Sequence, residues 1–173
     1  CEGDVDFVVG TFSKSLGAIG GYCASDHPDF EVLRIACRPY MYTASLPPSV
    51  VASCLAALRQ VETRPELMQN LWRNARRFHS ALTEQGFTLC AEPSPIVSVR
   101  LPDPGAAYAF WRELLEAGVF VTLAVPPATP NGWCILRSSV CAAHTEQQID
   151  RMSEAYRQVA ARLGLAPAEA VGS

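Results

Sequence analysis

Two short apolar runs joined by a glycine-rich turn constrain this chain more than any other feature. Residues 5–9 are closed by Gly10 and read as a buried strand, and residues 20–24 read as a second. Two strands alone make a marginal sheet in water. We therefore expect further strands beside them, contributed from upstream. The chain opens on Cys1 in place of methionine, which points the same way, to a start inside a longer protein.

The rest of the chain is organised by period. Residues 27–37 read as a short helix with Ser25 or Asp26 as its cap and Pro28 in its first turn, stopped before Pro39; residues 40–46 read as extended. A helix over 47–60, capped by Ser45, places Val50, Val51, Cys54, Leu55 and Leu58 on one face. A second helix carries Leu67, Leu71, Ala75, Phe78 and Leu82 on one face, with Arg73, Arg76 and Arg77 on a solvated one. After Gly86, strands over 96–101, 120–123 and 133–138 alternate with helices. The first of these helices is opened by Asp103, buries Ala107, Phe110, Trp111 and Leu114, and ends at Gly118. The last starts with a capping box, Thr145 and Gln148, and repeats Ile149, Met152, Tyr156 and Val159. Residues beyond Leu165 are expected to fray. No internal repeat is present. The order implies the end of a larger domain over 1–46, a helical bridge over 47–85 and a small α+β domain over 86–173.

Composition removes several function classes. With 49% hydrophobic and 18% charged residues, the chain can bury a core. Its net charge of -3, with no run of like charges beyond a pair, offers neither the basic footprint of a nucleic-acid binder nor a polybasic membrane anchor. No stretch approaches the roughly 18 apolar residues of a membrane span, and no signal segment opens the chain. The seven cysteines are odd in number and form no C-x-x-C pair, so neither a zinc site nor a disulfide framework is expected. Free thiols in the cytoplasm, and no metal, are the expectation.

The chemistry concentrates at the turn. Of 14 basic residues, 13 are arginine and one is lysine, Lys14, in the segment GTFSKSLGAIGG at 10–21. A phosphate-binding P-loop is disfavoured, because Val8 and Ser13 stand where it requires glycine and no helix follows. Lys14 instead suits an amine nucleophile that condenses with an aldehyde, as in pyridoxal phosphate enzymes. An arginine cannot substitute, since its guanidinium stays protonated. Thr11, Ser13 and Ser15 offer hydroxyls beside it for a phosphate monoester, and Gly17, Gly20 and Gly21 permit close approach to the backbone. The bland alternative, a surface lysine in a flexible turn, stays open on composition alone.

The blocks VDFVVGTFSKSLGAIGGYCAS, RPYMYTASLPPSVVAS and PPATPNGWCILRSSVCAAHT, at 5–25, 38–53 and 126–145, resemble the carboxy-terminal part of the α-oxoamine synthases, most closely the bacterial serine palmitoyltransferase group. The resemblance runs over nearly the whole chain. It implies an α/β pyridoxal-phosphate-dependent transferase fold of the aspartate aminotransferase type, represented here by the end of the large domain and the small carboxy-terminal domain. It also implies a homodimer with shared active sites and pyridoxal 5'-phosphate as cofactor. By that resemblance Lys14 is the Schiff-base lysine and the base at the substrate Cα, and Thr11 and Ser13 contact the cofactor phosphate. Thr43 reaches the phosphate of the neighbouring subunit's site, with Ala44 assisting through its backbone. Arg137 holds the amino-acid carboxylate; without the family match it would read as an arginine closing an edge strand. The implied reaction joins L-serine to a long-chain acyl-CoA with loss of carbon dioxide, giving 3-oxosphinganine. One residue departs from the pattern, Val125, where that group carries an arginine. Synthases that use glycine or alanine, of the glycine C-acyltransferase or 8-amino-7-oxononanoate synthase type, are the alternative, as is a truncated non-catalytic chain. His27, His79 and His144 receive no catalytic role, and Cys23 reads as an inert buried thiol.

Overall fold

The computed structural model describes residues 2–165, so the fraying expected beyond Leu165 lies outside the described residues. The chain divides into two compact units, Cys1–Arg64 and Pro65–Ser173.

The first unit holds a hairpin of β1 (Val8–Thr11) and β2 (Gly21–Ala24), then α1 (Val32–Ala36), α2 (Arg38–Met41) and α3 (Pro48–Thr63). β1 begins three residues later than the apolar run. Neither strand is buried: Val9 is 76% exposed, so ladder and turn, rather than burial, define the pair. Helix α1 also starts late. Ser25 Oγ accepts from His27 N–H and donates to the Asp6 carbonyl, which holds residues 25–27 out of the helix, and a turn over residues 28–31 follows instead of a helix opening at Pro28. The stretch expected to be extended from Tyr40 begins inside α2, where Pro39 occupies the first turn, a position that needs no N–H. Ser45 caps nothing. The residue before α3 is Pro47, and no side chain caps that helix.

The second unit holds α4 (Pro65–Glu84), β3 (Ile96–Leu101), α5 (Pro104–Glu116), β4 (Thr122–Ala124), β5 (Cys134–Ser139) and α6 (Glu146–Leu163). The strands form an antiparallel sheet in the order β3-β5-β4. Alternation sends Val97, Val99 and Leu101 of β3, and Cys134, Leu136 and Ser138 of β5, into the core. Phe78 of α4, Ala107, Phe110 and Leu114 of α5, and Ile149, Tyr156 and Val159 of α6 complete that core. Tyr156 is its centre, with the rings of Phe78, Phe87 and Phe110 at 5.8, 5.8 and 5.6 Å. Its hydroxyl meets Ser138 Oγ at 2.9 Å. Burial pushes the phenol well above its ordinary range, and the Ser138 bond opposes that shift.

The helix ends are local chemistry. Asp103 Oδ1 accepts from Ala106 N–H at 2.9 Å, and α5 closes with Gly118 at φ 79 while Val119 N–H bonds back to Leu114. Thr145 and Gln148 form the reciprocal capping box at α6. Strand β4 starts at Thr122 rather than Phe120 because the Trp111 indole donates to the Val121 carbonyl at 3.0 Å and takes that group from the ladder. Arg73 and Arg77 are more than a solvated face: Arg77 forks onto Asp150 at 2.7 and 2.8 Å and both arginines reach Glu146, which ties α4 to α6. Among the described residues, no helix is long and apolar enough to cross a membrane.

Truncating Phe78 to Ala should cost about 3–5 kcal/mol, seen as a lowered urea midpoint with an unchanged slope. On the surface of α6, hydrogen bonds from Arg157 and Gln158 hold the Glu154 carboxyl at about 2, below its ordinary 4.5. A carboxylate with a depressed folded value adds stability above the unfolded value and loses it as pH falls towards 2. An Arg157→Gln variant should return the Glu154 titration, followed by NMR, towards 4.5, while changing stability at neutral pH little because the pair is exposed.

Candidate active site

β1 and β2 place Gly10 opposite Tyr22 and Thr11 opposite Gly21, so the lysine loop, residues 12–20, is the connection of the hairpin. Phe12 N–H donates to the Gly20 carbonyl and Ala18 N–H to the Phe12 carbonyl, each at 2.9 Å. Gly17 N–H then returns to the Lys14 carbonyl at 3.1 Å, which makes Lys14 the first residue of a turn that ends at φ 62. Gly10 is covered by its partner strand: a Cβ there would stand 2.4 Å from the Tyr22 ring, which itself stacks on Phe12 at 5.7 Å, so a larger residue would have to displace that ring. Gly20 is required twice, by φ 98 and by Leu46, whose methyls would lie 2.8 Å from an added Cβ. Leu46 thus seats the segment that carries Thr43 and Ala44 against the end of the lysine loop.

Thr11 Oγ1 is the node of the loop's side-chain bonding. It donates to the Gly20 carbonyl at 3.2 Å, accepts from Ser13 N–H at 3.2 Å and lies 2.8 Å from Ser13 Oγ. A hydroxyl has one proton, so with the Thr11 proton on Gly20 the Ser13 hydroxyl donates to Thr11. Ser13 can turn its proton outward while Thr11 keeps both backbone bonds. Lys14 is exposed, and its amine has no hydrogen bond or ion pair among the described residues. It is the one charged residue between positions 7 and 25. A phosphorylated aldehyde fits this donor set. The amine is accessible, no carboxylate on the loop repels a phosphate, and Ser13 has a hydroxyl proton to offer. Thr11 supports Ser13 from behind. This relay has no signature in composition, since any hydroxyl-rich turn would read alike.

Thr43 and Ala44 are exposed in the first unit, just before Leu46. Arg137 belongs to the second unit. It is not on an edge strand: β5 is the middle strand, and Arg137 stands on its outward face opposite Ser98 and Thr122. Its guanidinium is exposed and has no partner among the described residues, whereas Arg34, Arg73, Arg77, Arg112, Arg157 and Arg162 all pair with acids. Val125 is half-buried and packs against the core of its unit. Cys23 is exposed on β2 rather than buried, and the six described cysteines are free. Burial raises the Cys90 thiol above its ordinary value. The three histidines are engaged by the backbone, His27 with Asp29 N–H, His79 with the Ala91 carbonyl and His144 with Cys141 N–H. No group of three His, Cys, Asp or Glu residues among the described residues could hold a metal. Sequence reasoning also passed over Asn74. It is fully buried on α4, and its amide nitrogen holds the carbonyls of Cys141 and His144 at 3.2 and 2.7 Å, which fixes the β5–α6 connection. A polar residue beside Ala75 on the apolar face was the available signal.

The aminotransferase class I and II family model matches residues 1–155. The chain belongs to that family. Members are pyridoxal 5'-phosphate enzymes with the α/β fold of aspartate aminotransferases. Serine palmitoyltransferase of Caulobacter vibrioides is 56% identical over 164 residues, covering 95% of this chain and 41% of that protein. 2-Amino-3-ketobutyrate coenzyme A ligase of Escherichia coli K12 is 40% identical over 164 residues, with coverages of 94% and 41%. The solved structure of Sphingomonas wittichii serine palmitoyltransferase superposes with a TM-score of 0.91 at 48% identity, over 96% of this chain and 42% of that one. A further structure of SPT, described as holding a PLP internal aldimine, gives the same TM-score. The chain therefore spans about two-fifths of the length of the curated relatives it matches.

If Thr11 is the node of the lysine loop, Thr11→Val should accelerate hydrogen exchange at the Ser13 amide about tenfold, the equivalent of one lost hydrogen bond. The Ala18 amide, bonded to the Phe12 carbonyl, should change less.

Proposed function

We propose that this chain supplies the lysine-bearing and carboxylate-binding parts of a pyridoxal-phosphate-dependent acyltransferase. The reaction condenses L-serine with a long-chain acyl-CoA to give 3-oxosphinganine, free coenzyme A and carbon dioxide. The observation that carries the reading is the accessible, unpartnered Lys14 amine, set beside a hydroxyl pair on a loop with no other charge. The 56% identity to a serine palmitoyltransferase, against 40% to the ketobutyrate ligase, supports serine as the amino acid.

In this reading Lys14 Nζ is the covalent attachment point for the cofactor aldehyde. Ser13 donates to the phosphate, and Thr11, whose own proton is on the Gly20 carbonyl, holds Ser13 in place. Thr43, with the Ala44 backbone, reaches the phosphate of the partner subunit's site in a homodimer. Pyridoxal phosphate, when bound, supplies an electron sink for the pair left when a bond to the substrate Cα breaks. Once the amino acid has displaced it, Lys14 Nζ takes the Cα proton as general base. Arg137 grips the carboxylate through two parallel N–H donors, which orients the group that leaves as carbon dioxide. Residues 1–46 are the end of the cofactor domain and 86–173 the small domain, and of the helical bridge over 47–85 the part in α4 packs into the core of the second unit. The free cysteines among the described residues agree with a cytoplasmic setting.

Val125 is the specific observation behind a second reading, a synthase that uses glycine or alanine. Without the arginine of the serine group, carboxylate handling rests on Arg137. Coenzyme A release measured with serine, glycine and alanine decides between them, and turnover with glycine alone would sink the serine assignment. We further infer that this chain by itself binds the cofactor weakly and does not turn over, since it carries few of the contacts a cofactor needs. Tight stoichiometric binding by the isolated chain would contradict that.

Borohydride reduction of the cofactor-loaded holoenzyme, followed by peptide mass mapping, should place a phosphopyridoxyl group on the Lys14 peptide. A Lys14→Ala variant should lose about 10²–10⁴-fold or more in kcat. An unmodified Lys14 peptide in an active sample would end the proposal.

A further inference from the structure

Arg137 has a hydroxyl on either side. In the register of the small sheet it faces Ser98 on β3 and Thr122 on β4. Cross-strand partners project to the same face, with Cβ atoms about 4.5–5.5 Å apart. The three side chains therefore form one row across the outward face. Neither the Ser98 nor the Thr122 hydroxyl has a hydrogen-bond partner among the described residues, and neither does the guanidinium between them. Strands β3, β4 and β5 contain no acidic residue, so the charge of Arg137 is uncompensated within the sheet. The neighbouring row is different: there Arg100 stacks on Trp133 at 4.7 Å, beside Ile135 and Ala124.

We propose that Ser98 and Thr122 complete, with Arg137, a three-point site for the substrate carboxylate, and so determine selectivity for amino acids with a free acid group. The proposal rests on the reading of Arg137 above. A carboxylate has two oxygens with about four lone-pair sites, and a bidentate guanidinium occupies one on each oxygen. For the remaining lone pairs the row offers one hydroxyl donor on each side of Arg137, in reach of a carboxylate held by a guanidinium that lies along the sheet face. No second cation competes for them from the following loop, because Val125 packs inward against the core. The middle position of β5 makes the arrangement rigid, since β3 and β4 fix the Cα positions on both flanks of Arg137. On an edge strand one of the two hydroxyls would be missing.

The test compares L-serine with L-serinamide, which keeps the amine and side chain but lacks the anionic oxygens. Binding is read in the holoenzyme, at the length of the relatives, from the change in cofactor absorbance on titration. Thr122→Val and Ser98→Ala should each weaken L-serine about tenfold, the scale of a hydrogen bond to a charged group, and leave serinamide within about twofold. Thr122→Ser should restore serine binding, which separates loss of the hydroxyl from damage to the strand. In steady state the same variants should raise KM for serine with little change in kcat. If Arg137→Ala weakens serine but neither hydroxyl variant does, the three-point site is overturned and the Arg137 reading stands. If Arg137→Ala also binds serine normally, both fall. Equal weakening of serine and serinamide by Thr122→Val, without rescue by serine, marks a structural role and overturns the proposal.

Discussion

The two-residue period of β5 is the constraint on which the second unit depends. Because successive side chains point to opposite faces, Cys134, Leu136 and Ser138 enter the core while Ile135, Arg137 and Ser139 face outward. A slip of one residue would bury a guanidinium and expose Leu136, so the apolar set and Arg137 define the register together. The Ser138–Tyr156 hydrogen bond strengthens that choice, since a buried hydroxyl leaves water only where a partner waits. Asn74 holds the chain immediately after the strand, at Cys141 and His144. Arg137 is thus exposed on a strand immobilised on its other face by the most buried side chains in the unit.

The lysine loop is held by different means. It has little burial behind it, and its shape comes from a ladder, three short backbone bonds and two glycines whose missing Cβ atoms are occupied by Tyr22 and Leu46. The hydroxyl pair adds directional bonding where hydrophobic contact is scarce. A nucleophilic amine benefits from such a frame, because the backbone can be fixed while the side chain remains free to exchange partners.

Much of this was legible in advance where the cause is local. The Asp103 and Thr145 caps, the Gly118 stop and the 96–101 strand depend on neighbouring residues, and the structure has them as the pattern implies. Errors came where a distant group decided the outcome. Trp111 delayed β4 by claiming the Val121 carbonyl, and the Ser25 bond to Asp6 turned an expected helix start into turns. The hairpin strands and Cys23, expected to be buried, are exposed in this chain, because apolar composition states what can be covered, not what covers it. Among the candidate site residues, Lys14 stood out by chemistry alone, as the one amine among arginines. The edge-strand reading of Arg137 failed because strand order is a property of the whole sheet.

By itself the sequence determined which groups are available: a single lysine in a glycine- and hydroxyl-rich turn, an arginine on an alternating strand, and a valine, Val125, just before a proline-rich loop. It also determined the helices and their ends, because caps and periodicity act over a few residues. Only the tertiary structure decided that Thr11 braces Ser13 instead of facing outward, that Arg137 occupies the middle of the sheet, and that Ser98 and Thr122 flank it. Those residues lie up to 39 positions apart, and antiparallel pairing brings them into one row. Pairing of that kind is settled by which apolar faces must be buried together, a condition that no local stretch of sequence contains.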